Sequence, residues 1–321
     1  MSTAAPDDLL QGVVLTPSNT ELASTRSLGV PADIRELVRA RGMTRPTPGR
    51  AAGRTVVHLI LWTGLSALGL LVGGLVWLPV WAVQGYFLQS AYSGLHDAIH
   101  HSQYRSKRVN RVAAVLWGLP LLLNGSLWRA WHLEHHRATA TSDDPEPHAV
   151  LGNRLIYAVA FPIGGLAMFA GLWAQSLGSL VGRPPSYVRR RGSYGAIRVD
   201  AAVVLVASVL GVVGLVRAPF HTAALWFIPF LVYWCLISVG IGLSEHYGTS
   251  TSGGQLDVTR SVTTRRFMRF MQWNSNFHAA HHLVPSVSYT FLPELDAALG
   301  ERVRHRSPSY VAFHAEQLRS L

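Results

Sequence analysis

A chain of 321 residues with 49% hydrophobic and only 14% charged side chains departs from the usual soluble balance and points to an integral membrane protein. The net charge of +11 would suit a nucleic-acid binder, but the arginines cluster between apolar blocks, as in cytoplasmic loops, so no nucleic-acid partner is expected. The single cysteine, Cys235, excludes internal disulfides and any cluster held by four of the chain's own thiolates.

Residues 1–54 are polar and proline-punctuated with no early apolar core, so the segment is expected to be cytoplasmic and not a cleavable signal. A helix needs about 20 apolar residues to cross the hydrocarbon core. Thr55 to Leu78 supplies that length without a charge. Pro79 breaks it, and Val80 to Leu95, diluted by Gln84 and Gln89, forms the second arm of a hairpin ending at His96. Arg105, Lys107, Arg108 and Arg111 follow and belong inside. Val112 to Leu127, interrupted by Gly118, Pro120, Asn124 and Gly125, reads as an interfacial or re-entrant segment.

Leu155 to Val181 is long enough to cross, but it contains Pro162, Gly164 and Gly165 and leads into Arg183, Arg189, Arg190 and Arg191. It is expected to be embedded without crossing. Val199 to Val216 and Ala223 to Leu243 form a second hairpin that returns Glu245 and His246 to the inner side. From about Gln255 the chain is basic and polar and suits a cytoplasmic cap. The expected fold is all-α, with four transmembrane helices in two hairpins, interfacial helices and a histidine-bearing cap. Residues 55–300 are expected to form the membrane domain and 301–321 a tail, with both termini in the cytoplasm.

Histidines recur at helical spacing in four places: His96, His100 and His101 in HDAIHH, His132, His135 and His136 in HLEHH, His246 in SEHYG, and His278, His281 and His282 in HAAHH. Residues three and four apart share a helix face, so each box can aim imidazoles at one point. Imidazole is the commonest neutral metal ligand and suits iron, zinc, copper or nickel. Two ligands from the first box, three from the second, His246 and three from the last exceed the four of a structural zinc and fit two metal ions. No glutamate has a histidine three residues later, which excludes the carboxylate-bridged pattern of soluble di-iron proteins. Neutral ligands call for nearby carboxylates, and Asp97, Glu134, Asp143, Asp144 and Glu245 lie close to the boxes.

From His96 through Glu294 the chain resembles the membrane fatty acid desaturase and hydroxylase superfamily. HDAIHH, WHLEHHRATATSDDPE and NSNFHAAHHLVPSVSYTFLPEL are similar, in order and content, to that family's three boxes. The resemblance implies two irons held by His96, His100, His132, His135, His136, His246, His278, His281 and His282, with dioxygen as co-substrate. It implies Asn274 near one iron, His101 as an outer partner of a ligand or a spare, and Asp144 as a partner of a ligand, with Asp97 and Glu245 the other candidate partners. It further implies a lipid or acyl substrate in a buried tunnel, an external electron donor of ferredoxin or cytochrome b5-like type with its reductase, and a bacterial cytoplasmic membrane. SEHYG is similar to part of the alkane hydroxylase signature, but Leu243 and Ser244 replace the usual Asn-Tyr, so hydroxylation stays open beside desaturation.

The other histidines, His58, His148, His221, His305 and His314, read as surface or satisfied core residues. Trp128, Trp131 and Trp273 flank the boxes and read as interfacial tryptophans. A histidine-rich metal transporter is the rival from another class, but transporters place ligands near the bilayer midplane rather than at span ends.

Overall fold

The computed structural model describes residues 29–146, 152–189 and 193–321, so the first half of the polar N-terminal segment, His148, Arg190 and Arg191 lie outside the described residues. Helix α1 (Ala32–Ala40) lays Ile34 and Val38 on the cap. Helix α2 (Pro48–Val72) opens on a proline, whose missing N–H costs nothing in a first turn. It ends at Gly73 and Gly74, with φ 68° and 55°, a left-handed pair that glycine adopts without a Cβ clash. The chain then reverses into α3 (Trp77–Ile99). Contacts of Gly69 with Trp77, Gln84 with Ser66, and Ser90 with His58 show α3 running antiparallel along α2.

The two arms differ in what they face. Leu59, Ile60 and Leu71 of α2 point outward, whereas Gln84, Gln89, Ser90 and Ser93 of α3 are buried inside the protein. Polar side chains in a membrane protein turn toward the bundle interior, where partners exist.

Among the described residues, four helices are long and apolar enough to cross a bilayer: α2, the Pro162–Leu180 part of α6 (Arg154–Leu180), α7 (Tyr194–Arg217) and α8 (Pro219–His246). The protein is therefore an integral membrane protein whose number of candidate spans agrees with the expectation, but whose membership differs. Val80 to Leu95 falls in α3, whose interior-facing glutamines and serines lower its hydropathy. Leu155 to Val181, expected to stop short, supplies a candidate span, because its Pro162 is accommodated within the helix and its glycines serve packing. A Cβ on Gly165 would lie 1.7 Å from the Trp234 carbonyl oxygen of α8, so only glycine permits this approach. At that point α8 carries a π-helical turn, Tyr233–Ile237, the second of two after Ala223–Phe227.

Helices α4 (Lys107–Gly118) and α5 (Gly125–Ala138), with the turn Leu119–Leu121 between them, meet at 99°. This bend is consistent with a re-entrant element. Asn124 caps α5 by accepting from the Leu127 amide (3.0 Å) and donating to Ser176 (3.0 Å) and the Ile197 carbonyl (2.9 Å). Asp200 of α7 accepts from the Ser126 amide (3.0 Å), a carboxylate set against the positive end of α5. Helices α6 and α7 thus aim the second box.

The cap is built from α9 (Arg266–Met271), α10 (His278–Leu283), α11 (Leu292–Leu299) and α12 (Tyr310–Ser320). The all-α fold is interrupted by two short parallel strands, β1 (Arg260–Val262) and β2 (His305–Ser307), with Arg260 opposite His305. Buried Arg260 donates to the carbonyls of Ser244 (3.0 Å), Tyr247 (2.7 Å) and Gly248 (3.3 Å), satisfying the last turn of α8 beside His246.

The tryptophans beside the boxes are corrected by the structure. Trp128, Trp131 and Trp273 are only 2%, 7% and 1% exposed, so they are core rather than interfacial residues. Trp128 and Trp131 stack at 4.5 Å, and Trp131 lies parallel to the His135 ring, supporting the second box from one side.

Candidate metal centre

The boxes reach one place from different elements. His96 and His100 come from the end of α3, His132, His135 and His136 from α5, His246 from the last turn of α8, and His278, His281 and His282 from α10. They fall into two groups, His96, His100, His132, His136 and His281, and His135, His246, His278 and His282. Within each group one nitrogen per ring lies within 4.8 Å of the others.

Helix geometry explains the division. Residues four apart are only about 40° apart around the axis, whereas adjacent residues are about 100° apart. His96 with His100, His132 with His136, and His278 with His282 therefore stay together. His135 and His281, each adjacent to a box's last histidine, turn to the other group.

The tautomers in the group of four follow from their partners. His246 Nδ1 lies 3.0 Å from the Val258 carbonyl, which can only accept, so Nδ1 carries the proton and the neutral ring's Nε2 is a lone pair. His135 Nδ1 meets the Asp144 carboxylate at 2.9 Å, and His282 Nδ1 meets Gln255 Oε1 at 3.1 Å. His278 Nδ1 faces Glu245 at 3.7 Å. The inward nitrogens converge, with His278 Nε2 and His246 Nε2 2.9 Å apart and His282 Nε2 buried without a partner among the described residues. Lone pairs aimed at one point, with protons held on the far nitrogens, form a donor set for a cation.

In the group of five, His136 Nε2 lies 2.9 Å from His132 Nε2 and 3.1 Å from His281 Nε2. His100 Nε2 and His136 Nδ1 are buried and unpartnered. Burial, followed by the charge that neighbouring imidazoles would carry, holds His278, His281 and His282 well below the usual histidine range. They are neutral at pH 7, as ligation requires. Burial also pushes His135 down, but Glu146 and Asp144 together carry it above its ordinary value.

The remaining candidates separate clearly. Asp144 bonds His135 and also accepts from the amides of Ala140 (3.1 Å) and Glu146 (2.9 Å), so its carboxylate is fixed. Glu245 faces His278. Asp97 instead accepts from Ser102, and Asn274 donates to the Tyr289 carbonyl (2.9 Å) from a left-handed turn at φ 60°. Glu134 pairs with Arg137 and Arg189, and His101 lines a separate basic cavity on the far side of α5. His58 is a satisfied core residue bonded to the Arg54 carbonyl and Ser90.

Sequence reasoning missed Gln255, the Val258 carbonyl and Thr139, whose hydroxyl lies 3.5 Å from His282 Nδ1. A backbone carbonyl leaves no trace in residue identity, and Gln255 is remote from every box. It also missed Tyr92, Ser93, Ser275 and Glu146, which line a cavity of about 10 Å³ together with His96, His132, His135, Glu245 and His278. This cavity touches histidines of both groups and holds about one water-sized molecule.

A family model for fatty acid desaturases matches residues 75–314. The chain is also 31% identical over 104 residues to a sn-1 oleoyl-lipid 12-desaturase of Picosynechococcus sp., a match covering 32% of this chain and 30% of that protein. The match thus spans about a third of either chain.

Proposed function

The chain belongs to the fatty acid desaturase family, and from that premise we propose that it is a dioxygen-dependent oxidoreductase that desaturates an aliphatic, fatty acyl type lipid chain at a pair of irons. The observation that carries this reading is the convergence of nine histidines in two adjacent groups. His96, His100, His132, His136 and His281 would hold one iron and His135, His246, His278 and His282 the other. Iron bound there would supply the electron transfer and dioxygen activation needed to attack an unactivated C–H bond.

The protein's own part is binding, orientation and exclusion of water. Asp144, Gln255 and the Val258 carbonyl hold protons on the outer nitrogens of His135, His282 and His246, which keeps their inner nitrogens available. Tyr92, Ser93 and Ser275 pack beside both groups and keep bulk water from them. Holding a substrate carbon next to the metals would, by orientation, lower a barrier by roughly 7 to 11 kcal/mol.

Two electrons would come from an external donor, of ferredoxin type or cytochrome b5-like with its reductase. The histidine groups and both termini would face the cytoplasm of a bacterial membrane. Arg105, Lys107, Arg108 and Arg111 follow the first box directly and support that orientation. Residues 55–300 would be the catalytic membrane domain, flanked by 1–54 and 301–321.

Hydroxylation or ketolation of an alkyl, acyl or isoprenoid chain is the second reading, favoured by the EHYG string around His246. The two share donor set and oxidant and differ in product. Purified iron-loaded protein, given reductant and a lipid extract, should consume dioxygen and yield a product with two hydrogens fewer. A product with one added oxygen would establish the second reading. Bound metal without dioxygen uptake would favour a metal transporter or scaffold instead.

A further inference from the structure

The face of α5 opposite its histidines borders a second, larger cavity of about 700 Å³. Among the described residues, six cationic side chains line it, Lys107, Arg108, Arg111, Arg129, Arg137 and Arg189, against one carboxylate, Glu134. Glu134 is occupied by Arg137 and Arg189, and Arg111 leans on Asp200 at 3.4 Å. Lys107 and Arg108 are exposed and have no carboxylate partner among the described residues. The floor is apolar, with Ile99, Leu133 and Val188. Positive charge over low-dielectric walls concentrates the field and attracts anions.

The setting is amphipathic as well as basic. The cavity lies where α3 ends and α7 begins, at the same end of the bundle as the histidine groups. Beyond Arg108, and turned more than about 90° around the axis from Lys107 and Arg111, helix α4 exposes Val109, Val112 and Leu116 by 45%, 58% and 64%. These positions recur at helical spacing and form one apolar stripe. A cationic recess beside an outward apolar stripe matches a molecule with a phosphate at one end and hydrocarbon at the other. A folded acidic protein would meet the charge but leave the stripe uncovered.

We propose that this cavity binds the phosphate headgroup of an anionic phospholipid, with its acyl chains along the Val109, Val112 and Leu116 face of α4. The site shares no lining residue with the cavity beside the histidine groups and does not depend on the reaction performed there. It bears on that centre mechanically. Arg129, which lines the cavity, donates to the carbonyl of Ile99, the residue before His100, and so ties the second-box helix to the end of the first.

The test uses the purified full chain in a non-ionic detergent, titrated with dioctanoyl phosphatidylglycerol, dioctanoyl phosphatidylcholine or inorganic phosphate and followed by calorimetry and native mass spectrometry. Saturable binding of the phosphatidylglycerol alone is expected. Lys107→Gln with Arg108→Gln should weaken it about thirty-fold, while Arg265→Gln with Arg266→Gln, an equal charge change elsewhere, should leave it unchanged. Equal losses in both double variants would reduce the effect to diffuse attraction and overturn the site. Full competition by millimolar inorganic phosphate would overturn the lipid assignment in favour of a free anion. Unchanged lipid binding in the first variant, with weakened docking of an acidic ferredoxin, would overturn it in favour of a protein surface.

Discussion

The two histidine groups use the same residue type, yet the protein braces them differently. Each ring of the group of four is backed at its outer nitrogen, by Asp144, the Val258 carbonyl, Gln255 and, at longer range, Glu245. No outer nitrogen of His96, His100, His132, His136 or His281 is hydrogen-bonded to a described residue. Helix spacing and ring packing hold those five, with His96 and His281 at 4.4 Å between ring centroids. The contrast teaches that one group is arranged before any cation arrives, whereas the other relies more on a bound cation to fix its rings.

The largest expected effect tests whether the groups are separate. His246→Ala should remove metal from the group of four and His96→Ala from the group of five. Each should lower the metal content of the purified protein toward about half while abolishing turnover. Loss of all metal from either variant would break the comparison by showing a single coupled site.

The brace itself comes next. Asp144→Asn keeps the shape but removes the charge from His135, and should weaken metal binding at the group of four by about 10 to 100-fold. Competition with a chelator would measure this, and the group of five should hold its affinity.

Packing behind the group of four gives a smaller effect. Gly165→Ala would push a methyl group into the Trp234 carbonyl, so α6 and α8 must separate, at a cost of about 1 to 3 kcal/mol. Since α8 carries His246 and none of the five, thermal unfolding should fall and metal should leave the group of four first.

The remaining test is pH on metal-free protein. His278, His281 and His282 have folded pKa values below their ordinary 6.5, so below that pH the unfolded chain binds more protons than the folded one. The stability these three contribute should be fully present above about 6.5 and fall as the pH drops, by at most about 1.4 kcal/mol per pH unit for each histidine. Denaturant unfolding at stepped pH would measure it, and bound metal should flatten the slope over the range where it stays bound.

Much of this centre is legible in the order of residues alone. The spacings HDAIHH, HLEHH and HAAHH place imidazoles on helix faces by the 3.6-residue period, and the family resemblance adds His246, which spacing could not. Even the division into two groups is implicit, because adjacent histidines point about 100° apart. The apolar blocks likewise locate the helices. Which of these blocks cross the bilayer is less legible at α3 and α6, since hydropathy along the chain does not reveal whether a glutamine faces lipid or protein.

What the sequence determined by itself was local: which residues share a helix face, and which segments prefer hydrocarbon. Tertiary structure decided which faces meet. It placed Gln255 and the Val258 carbonyl behind imidazoles from distant segments, buried Trp128, Trp131 and Trp273, and gathered the cations of α4, α5 and the segment before α7 around one cavity. The physical reason is range. Helical periodicity acts over a turn, whereas a hydrogen bond to a carbonyl or the burial of a ring depends on elements brought together only when the bundle closes.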